Sequence, residues 1–406
     1  KLMFKNIAFL ALICLAFNQE LVFDWTKIVQ DQGYAWFDDN IKSPDLIAQM
    51  GFGWNLGNTL DAHNGNYNEG LDSESSWGNP KVTNAMIDQL VYKGFKTIRL
   101  PVTWHNHIID KKYTIDPAWM WRVKNVVDYC IKKGLFVILN VHHDNADSTW
   151  LTPGAGYYPR WNNIDESKRF LANIWGQIAR AFNNGYDHHL IFEALNEPRL
   201  IGDPNEWNYT PGDPSSEECV QVVNQLNYMI HWFIRDTKGN NLKRFILFTN
   251  GAAGFTYVTA NGFYLPDDSI YNPTNKRILV SVHLYSPYDF ALDPNMSINS
   301  FTEAHANELE YLFQTLKKKY TDKGFHVVVT EMGATDKLNT EGRKWWGEFF
   351  VRRARELQMA CVVWDNNRWN TNWDANEKFG LFHREKGTFE PDDYVNTLIN
   401  AARPKY

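Results

Sequence analysis

Two glutamates stand just past two apolar runs, and their placing suggests chemistry. Leu190, Ile191 and Phe192 lead through Glu193, Ala194 and Leu195 to Asn196-Glu197-Pro198. Val327, Val328 and Val329 lead through Thr330 to Glu331. A strand buried on both faces of a parallel sheet reads as a short continuous apolar run. Pro198 cannot donate to a sheet ladder and holds the residue before it extended. The first strand is therefore expected to end at Glu197 and to aim a carboxylate and an amide out of its C-terminal end. Ligands bind at that end of parallel α/β sheets and barrels. Two carboxylates facing each other across a hollow can divide nucleophilic and proton-transfer roles, as in glycoside hydrolysis. A gap of about 5–5.5 Å lets one attack while the other donates a proton; about 6.5–9.5 Å admits a water and inverts the centre. The sequence leaves that gap open.

The elements that must position these groups recur as strand, loop and amphipathic helix. Strands are expected at 53–56, 97–100, 136–141, 190–194, 245–248, 278–282, 327–330 and 361–364. Helices are expected at 82–93, 117–133, 165–182, 216–235, 302–320, 340–357 and 392–402, with a short one near 255–261. Gly94 and Gly134 follow two of them as stop signals. This alternation predicts an α/β fold, a single (β/α)8 TIM barrel with its site at the C-terminal strand ends. An open doubly wound sheet is the other alternation. It usually carries a glycine-rich phosphate loop after the first strand, and the run from Gly53 to Asn58 lacks that spacing.

Polar and aromatic groups follow every expected strand but the fifth. They are Asn58 and Asp61, Arg99, His142 and His143, Asn196 and Glu197, His283 and Tyr285, Glu331, and Trp364. Each alone has a bland reading: His142 as a hydrogen-bonded core histidine, Arg99 as an ion-pair partner, Trp364 as core. Their collection on one rim points to a site. Arg99 and the Tyr285 hydroxyl can hold one carboxylate ionised, as a nucleophile requires. The other must keep its proton, which the neighbouring negative charge favours. Asn196 offers a neutral hydrogen bond suited to a sugar 2-hydroxyl. No metal is expected, because adjacent His142 and His143 point opposite ways in a strand and no His-Glu-x-x-His motif occurs. A serine esterase is set aside because Gly-x-Ser-x-Gly is absent.

Composition sets the outer bounds. The chain of 406 residues is 44% apolar, enough for one large core. Its net charge of −6 offers no broad basic surface for nucleic acid. Aromatic residues make up 15%, with 17 Trp, whose flat faces suit both a core and the C–H faces of sugars. Residues 1–24 read as a signal peptide and N-terminal extension, with Lys5 ahead of an apolar run too short to span a bilayer. Residues 25–406 read as one catalytic barrel. The expectation is a secreted, extracellular monomer that has no membrane contact after leader removal. Cys130, Cys219 and Cys361 remain beyond the leader; they allow at most one disulfide, and buried free thiols are the expected state. Asn208 and Asn295 begin glycosylation sequons.

The ordered motifs resemble a known family. They run Gly53-Trp54-Asn55-Leu56-Gly57-Asn58-Thr59-Leu60-Asp61-Ala62, Trp77-Gly78-Asn79-Pro80, Ile98-Arg99-Leu100-Pro101 and Asn140-Val141-His142-His143-Asp144. They continue Asn196-Glu197-Pro198, His283-Leu284-Tyr285-Ser286-Pro287, Thr330-Glu331-Met332-Gly333-Ala334 and Val363-Trp364-Asp365. This set resembles glycoside hydrolase family 5, in the branch dominated by secreted endo-β-1,4-glucanases. The resemblance implies a barrel with a retaining mechanism and no metal or organic cofactor. It implies Glu197 as acid/base and Glu331 as nucleophile. Arg99, His142, Asn196, His283, Tyr285 and Trp364 match residues that position the nucleophile and the sugar at the −1 subsite. Asn58 and Asp61 fall where the family contacts sugars on the non-reducing side, and His143 and Trp77 line the cleft. The family's nucleophile segment more often reads Gly-Glu-Phe-Gly than Thr-Glu-Met-Gly. The same resemblance leaves lichenan, xyloglucan, xylan and mannan open as alternative polymers. A non-catalytic sugar-binding barrel would have lost a carboxylate, and an intracellular β-glucosidase would need no leader.

Overall fold

The computed structural model describes residues 34–64, 69–146, 156–294, 298–369 and 377–404. The expected leader and the sequon at Asn295 lie outside the described residues. Eight parallel strands close into a barrel in sequence order. They are β1 Phe52–Asn55, β2 Thr97–Leu100, β3 Phe136–Asn140, β4 Leu190–Glu193, β5 Ile246–Phe248, β6 Ile278–Leu284, β7 Val327–Met332 and β8 Ala360–Val363, with β8 pairing back to β1. The molecule is a TIM barrel, as its alternation predicts.

Helices surround the sheet: α1 Ser43–Met50, α2 Asn84–Lys93, α3 Pro117–Lys132, α4 Ile164–Ala181, α5 Pro214–Asp236, α6 Phe255–Thr259, α7 Tyr288–Ala291, α8 Glu303–Lys319, α9 Thr340–Glu356 and α10 Asp392–Ala401. Their ends follow local chemistry. Thr83 starts α2 by accepting from the Met86 N–H, and Gly94 ends it in a left-handed conformation. Asp213 starts α5 by accepting from the Ser216 N–H.

Side-chain parity sorts the core into two layers. Ile98, Leu100, Leu190, Phe192, Val280 and Val282 face the helices. Ile138, Ile191, Leu247, Leu279, Val328 and Val362 fill the barrel interior. Helix α1 was not foreseen. Its Leu46, Ile47 and Met50 join Phe37 and Ile41 in the interior cluster, beside Phe136 at the start of β3 and Phe245 just before β5. It therefore closes the N-terminal mouth. The hairpin of β9 Phe382–His383 and β10 Thr388–Phe389 was also unforeseen. The expected boundary at Glu197 needs correction, because β4 ends at Glu193. Cys130, Cys219 and Cys361 are buried and free. Among the described residues no helix is long and apolar enough to cross a membrane.

Candidate functional site

Above the apolar interior the inward positions turn polar. Asn55, Arg99, Asn140, Glu193, Ser281 and Thr330 are fully buried. A buried charge needs partners, and here every charge has them. Arg99 is the hub. Its Nε donates to Glu193 Oε2 at 2.7 Å, Nη1 to Glu331 Oε1 at 2.7 Å and Asn55 Oδ1 at 3.0 Å, and Nη2 to Asn196 Oδ1 at 2.7 Å. Burial opposes its charge, but Glu193 and Glu331 overcome that and raise its pKa.

Strict alternation would misplace Glu331. Val327 and Val329 face the helices, so Glu331, of the same parity, would follow them. The register forbids this. Val282 pairs with Val329 while His283 pairs with Glu331, so β7 carries one extra residue. The same slip appears against β8, where Val329 pairs with Cys361 and Met332 with Val363. A bulge at Thr330 therefore flips the parity and turns Glu331 into the hollow. There its Oε2 accepts from the Tyr285 hydroxyl at 2.8 Å. Both groups that the sequence offers to an ionised carboxylate meet on Glu331. Burial and the Glu331 charge push the Tyr285 hydroxyl well above its ordinary pKa, so it stays a donor.

Glu197 lies beyond the end of β4, with His283 Nδ1 2.8 Å from its Oε1. The same nitrogen is 3.5 Å from Glu331 Oε2. One oxygen of Glu197 and one of Glu331 lie within 4.8 Å of each other. Residues far apart in sequence thus share one hollow. One expectation changes. Burial raises the Glu197 pKa, but the hydrogen bond and charge of His283, with Arg199 and His143, outweigh it and the net shift is downward. Burial lowers His283, yet the charges of Glu331 and Glu197 win and raise it. The two shifts run against the sequence expectation that a neighbouring negative charge would favour the protonated form of Glu197.

The remaining rim divides by reach. Asn196 Oδ1 is committed to Arg99, so its amide N–H groups are the ones left for a ligand. The His142 ring lies parallel to that of Trp364 at 6.0 Å and 4°. Asn140 Nδ2 lies 3.0 Å from His142 Nδ1, and Asn140 Oδ1 accepts from the Val102 N–H. His142 Nδ1 is thus the acceptor and its Nε2 carries the proton. Burial and nearby cationic groups hold His142 well below its ordinary pKa, so it is neutral. Trp77 and His143 rings sit 5.3 Å apart. Asn79 ties the Trp77 loop to the Asn58 carbonyl at 2.8 Å, and Arg368 binds the Trp77 carbonyl at 2.8 Å. Asn58 is half-buried with φ 58°, in the left-handed region that Asn tolerates.

Asp61 departs from its expected place on this rim. It is fully buried, and its oxygens accept from the Asn58 and Thr59 N–H groups. It shapes the turn that presents Asn58 and backs His143, whose Nε2 is 3.6 Å away.

Among the described residues, donor atoms of Asp61, His142 and His143 lie within 4.8 Å, as do those of Glu197, His283 and Glu331, and of Asp187, His188 and His189. The first set would need the His142 Nε2 proton removed. The second has its histidine nitrogen bonded to a carboxylate. The third is at the opposite mouth, where His189 stacks on Phe136 at 4.5 Å.

Sequence reading missed the buried floor, above all Glu193. Its signal was present: polar residues at inward parity in otherwise apolar strands. It also missed Glu377, an exposed residue whose carboxyl is raised by partial desolvation and by the charges of Glu197 and Glu331. No apolar run or periodic stretch stands before Glu377 in the sequence to announce it. Arg199, which stacks over exposed Trp207 at 4.3 Å, was likewise unread.

Fold and site together define a barrel glycoside hydrolase with paired carboxylates at its C-terminal strand ends. Residues 60–370 match the model of the cellulase family, glycosyl hydrolase family 5. Endoglucanase 1 of Ruminococcus albus is 41% identical over 356 residues, covering 87% of this chain and 80% of that protein. Endoglucanase A of Clostridium longisporum is 40% identical over 360 residues, 87% of this chain; the match spans 65% of that protein's length. A broad-specificity endoglucanase from Ruminococcus champanellensis with bound cellotriose superposes with a TM-score of 0.78 at 38% identity, covering 88% of this chain and 98% of that one. A family 5 lichenase from Caldicellulosiruptor sp. F32 in complex with cellotetraose gives 0.82 at 36% identity, covering 91% and 98%. The chain belongs to glycoside hydrolase family 5.

Proposed function

We propose that this protein is a secreted endo-β-1,4-glucanase that cleaves internal linkages of cellulose and related β-glucans with retention of configuration. The observation that carries the reading is the meeting of Glu197 and Glu331 oxygens within 4.8 Å, a spacing in keeping with direct attack. Glu331, held by Arg99 and Tyr285, attacks the anomeric carbon. The bond to the leaving oxygen breaks as Glu197, hydrogen-bonded to His283, delivers a proton to it. Glu197 then takes a proton from water, whose oxygen attacks the anomeric carbon and releases Glu331. Asn196 and His142 Nε2 present N–H donors to the sugar, and Trp364 offers it an aromatic face.

Glu331→Ala and Glu197→Ala each lower turnover of carboxymethyl-cellulose by orders of magnitude. Normal activity in either variant ends the proposal. Proton NMR of the first-formed product checks retention; an inverted product refutes the double displacement. The lichenase neighbour favours a second reading, lichenan as the preferred polymer, and the broad-specificity neighbour favours action on several β-glucans. A panel of cellulose, lichenan, xyloglucan, xylan and mannan with product analysis separates the two. Export and the monomeric state are part of the proposal. Mass analysis of protein from the culture medium tests leader removal, and light scattering tests the monomer.

A further inference from the structure

Glu193 is a puzzle for a barrel that needs only to fold. It is a second carboxylate on one guanidinium, and its side chain is 0% exposed. Glu331 already neutralises Arg99 from above, so a further buried negative charge adds desolvation cost without being needed for charge balance. Yet Glu193 is held with care. Its Oε2 accepts from Arg99 Nε at 2.7 Å and from Asn140 Nδ2 at 2.9 Å, and its Oε1 from the Ser281 hydroxyl at 2.6 Å. Ser281 Oγ lies 2.6 Å from Thr330 Oγ1, the bulge residue beside Glu331. The carboxylate therefore joins β2, β3 and β6, with β7 one hydroxyl further on.

We propose that Glu193 is a positioning residue for the reaction, which orients Arg99 and shares its charge so that Glu331 stays an effective nucleophile. With Nε anchored below, the guanidinium plane is set. Its two terminal nitrogens then reach Glu331 and Asn196. Arg99 thereby places the nucleophile and the sugar-facing amide with one rigid fork. The charge is divided as well. An arginine facing Glu331 alone would hold that carboxylate more tightly ionised and less ready to attack. Glu193 takes up part of the field.

The groups facing Glu331 are Arg99 from β2, His283 and Tyr285 from β6 and the loop after it, Glu197 from beyond β4, and Glu377 from the segment after β8. Those facing Glu193 are Arg99, Asn140 and Ser281. Removal of the Glu193 charge leaves the Arg99 charge opposed by one carboxylate fewer, so the reacting carboxylate faces a less compensated cation.

The inference rests on the two-carboxylate reading, and the test keeps the two separable. The rate kcat/KM is followed against pH on a chromogenic aryl β-cellobioside, with folding checked by circular dichroism and Tm. If the wild type fails to turn over, the functional reading fails. Given an active wild type, Glu193→Gln is expected to move the acidic limb down by about one pH unit. It also lowers kcat by about 10–100-fold with KM little changed, as loss of a group acting in the transition state does. Glu193→Asp keeps the charge and leaves the limb in place, with a smaller loss of kcat. An unmoved limb in folded Glu193→Gln overturns the proposal. So does a rise in KM at constant kcat. If neither variant folds, Glu193 serves the scaffold alone and the proposal falls.

Discussion

His283 is the residue on which the proton chemistry turns. It touches both carboxylates, at 2.8 Å and 3.5 Å. Its raised pKa means that the folded state binds its proton more tightly than the unfolded chain. Its stabilising effect is complete below the ordinary value of 6.5 and is lost as pH rises through the higher folded value. Glu197, lowered from 4.5, works the other way: its effect is complete above 4.5 and is lost as pH falls through the lower folded value. The pair therefore stabilises most between roughly pH 4.5 and 6.5. His283→Asn is expected to lower Tm most within that window and least toward alkaline pH. Differential scanning calorimetry across pH checks this, and a Tm difference independent of pH refutes it.

At the scale of the element, two devices aim side chains that periodicity alone would misdirect. The bulge at Thr330 turns Glu331 inward. At the end of β1, Gly57 lets Trp364 approach: a Cβ there would lie 2.8 Å from the indole carbons and from the Asp365 carbonyl oxygen. Backbone contact of this kind cannot be relieved by a rotamer change. Gly57→Ala therefore displaces the Trp364 segment and raises KM for cello-oligosaccharides, with a smaller effect on Tm. An unchanged KM counts against Trp364 as a sugar face. Helix α1 serves the opposite mouth. Leu46→Ala opens a cavity in the interior cluster and lowers stability by about 2–4 kcal/mol. Its kcat/KM measured well below Tm stays at the wild-type value, because the helix lies at the far end from the site. Chemical denaturation and steady-state kinetics on the same preparation test both halves.

At the scale of the whole molecule, closure of the barrel makes the site. Six of the eight strands, β1, β2, β3, β4, β6 and β7, contribute to the polar floor, so a ligand bound across it ties the sheet together. In Glu331→Gln, which removes turnover but keeps the hollow, cellotetraose at 100 times its Kd is expected to stabilise by about 2.7 kcal/mol. A Tm unaffected by saturating cellotetraose would oppose a glucan-binding cleft.

Much of this was legible in the chain. The order of strands and helices follows from short apolar runs, amphipathic stretches and glycine stops, all local signals. The polar strand ends from Asn58 to Trp364 stand next to those signals and could be read with them. Helix α1 was missed because a short segment that plugs a barrel mouth has no strand of its own to announce it. Glu193 was read as part of a strand, since a lone acidic residue has no partner visible in one dimension. Asp61 was read as a sugar contact, because burial of its carboxylate under Asn58 depends on the fold of that turn. The primary structure thus determined most of the residues that reach the rim, Asp61 excepted, because each follows an apolar run that can be read locally. Only the tertiary structure decided which way Glu331 faces, that Arg99 serves two carboxylates and that His283 stands between Glu197 and Glu331. Those outcomes depend on register and closure among strands distant in sequence, which no local pattern encodes.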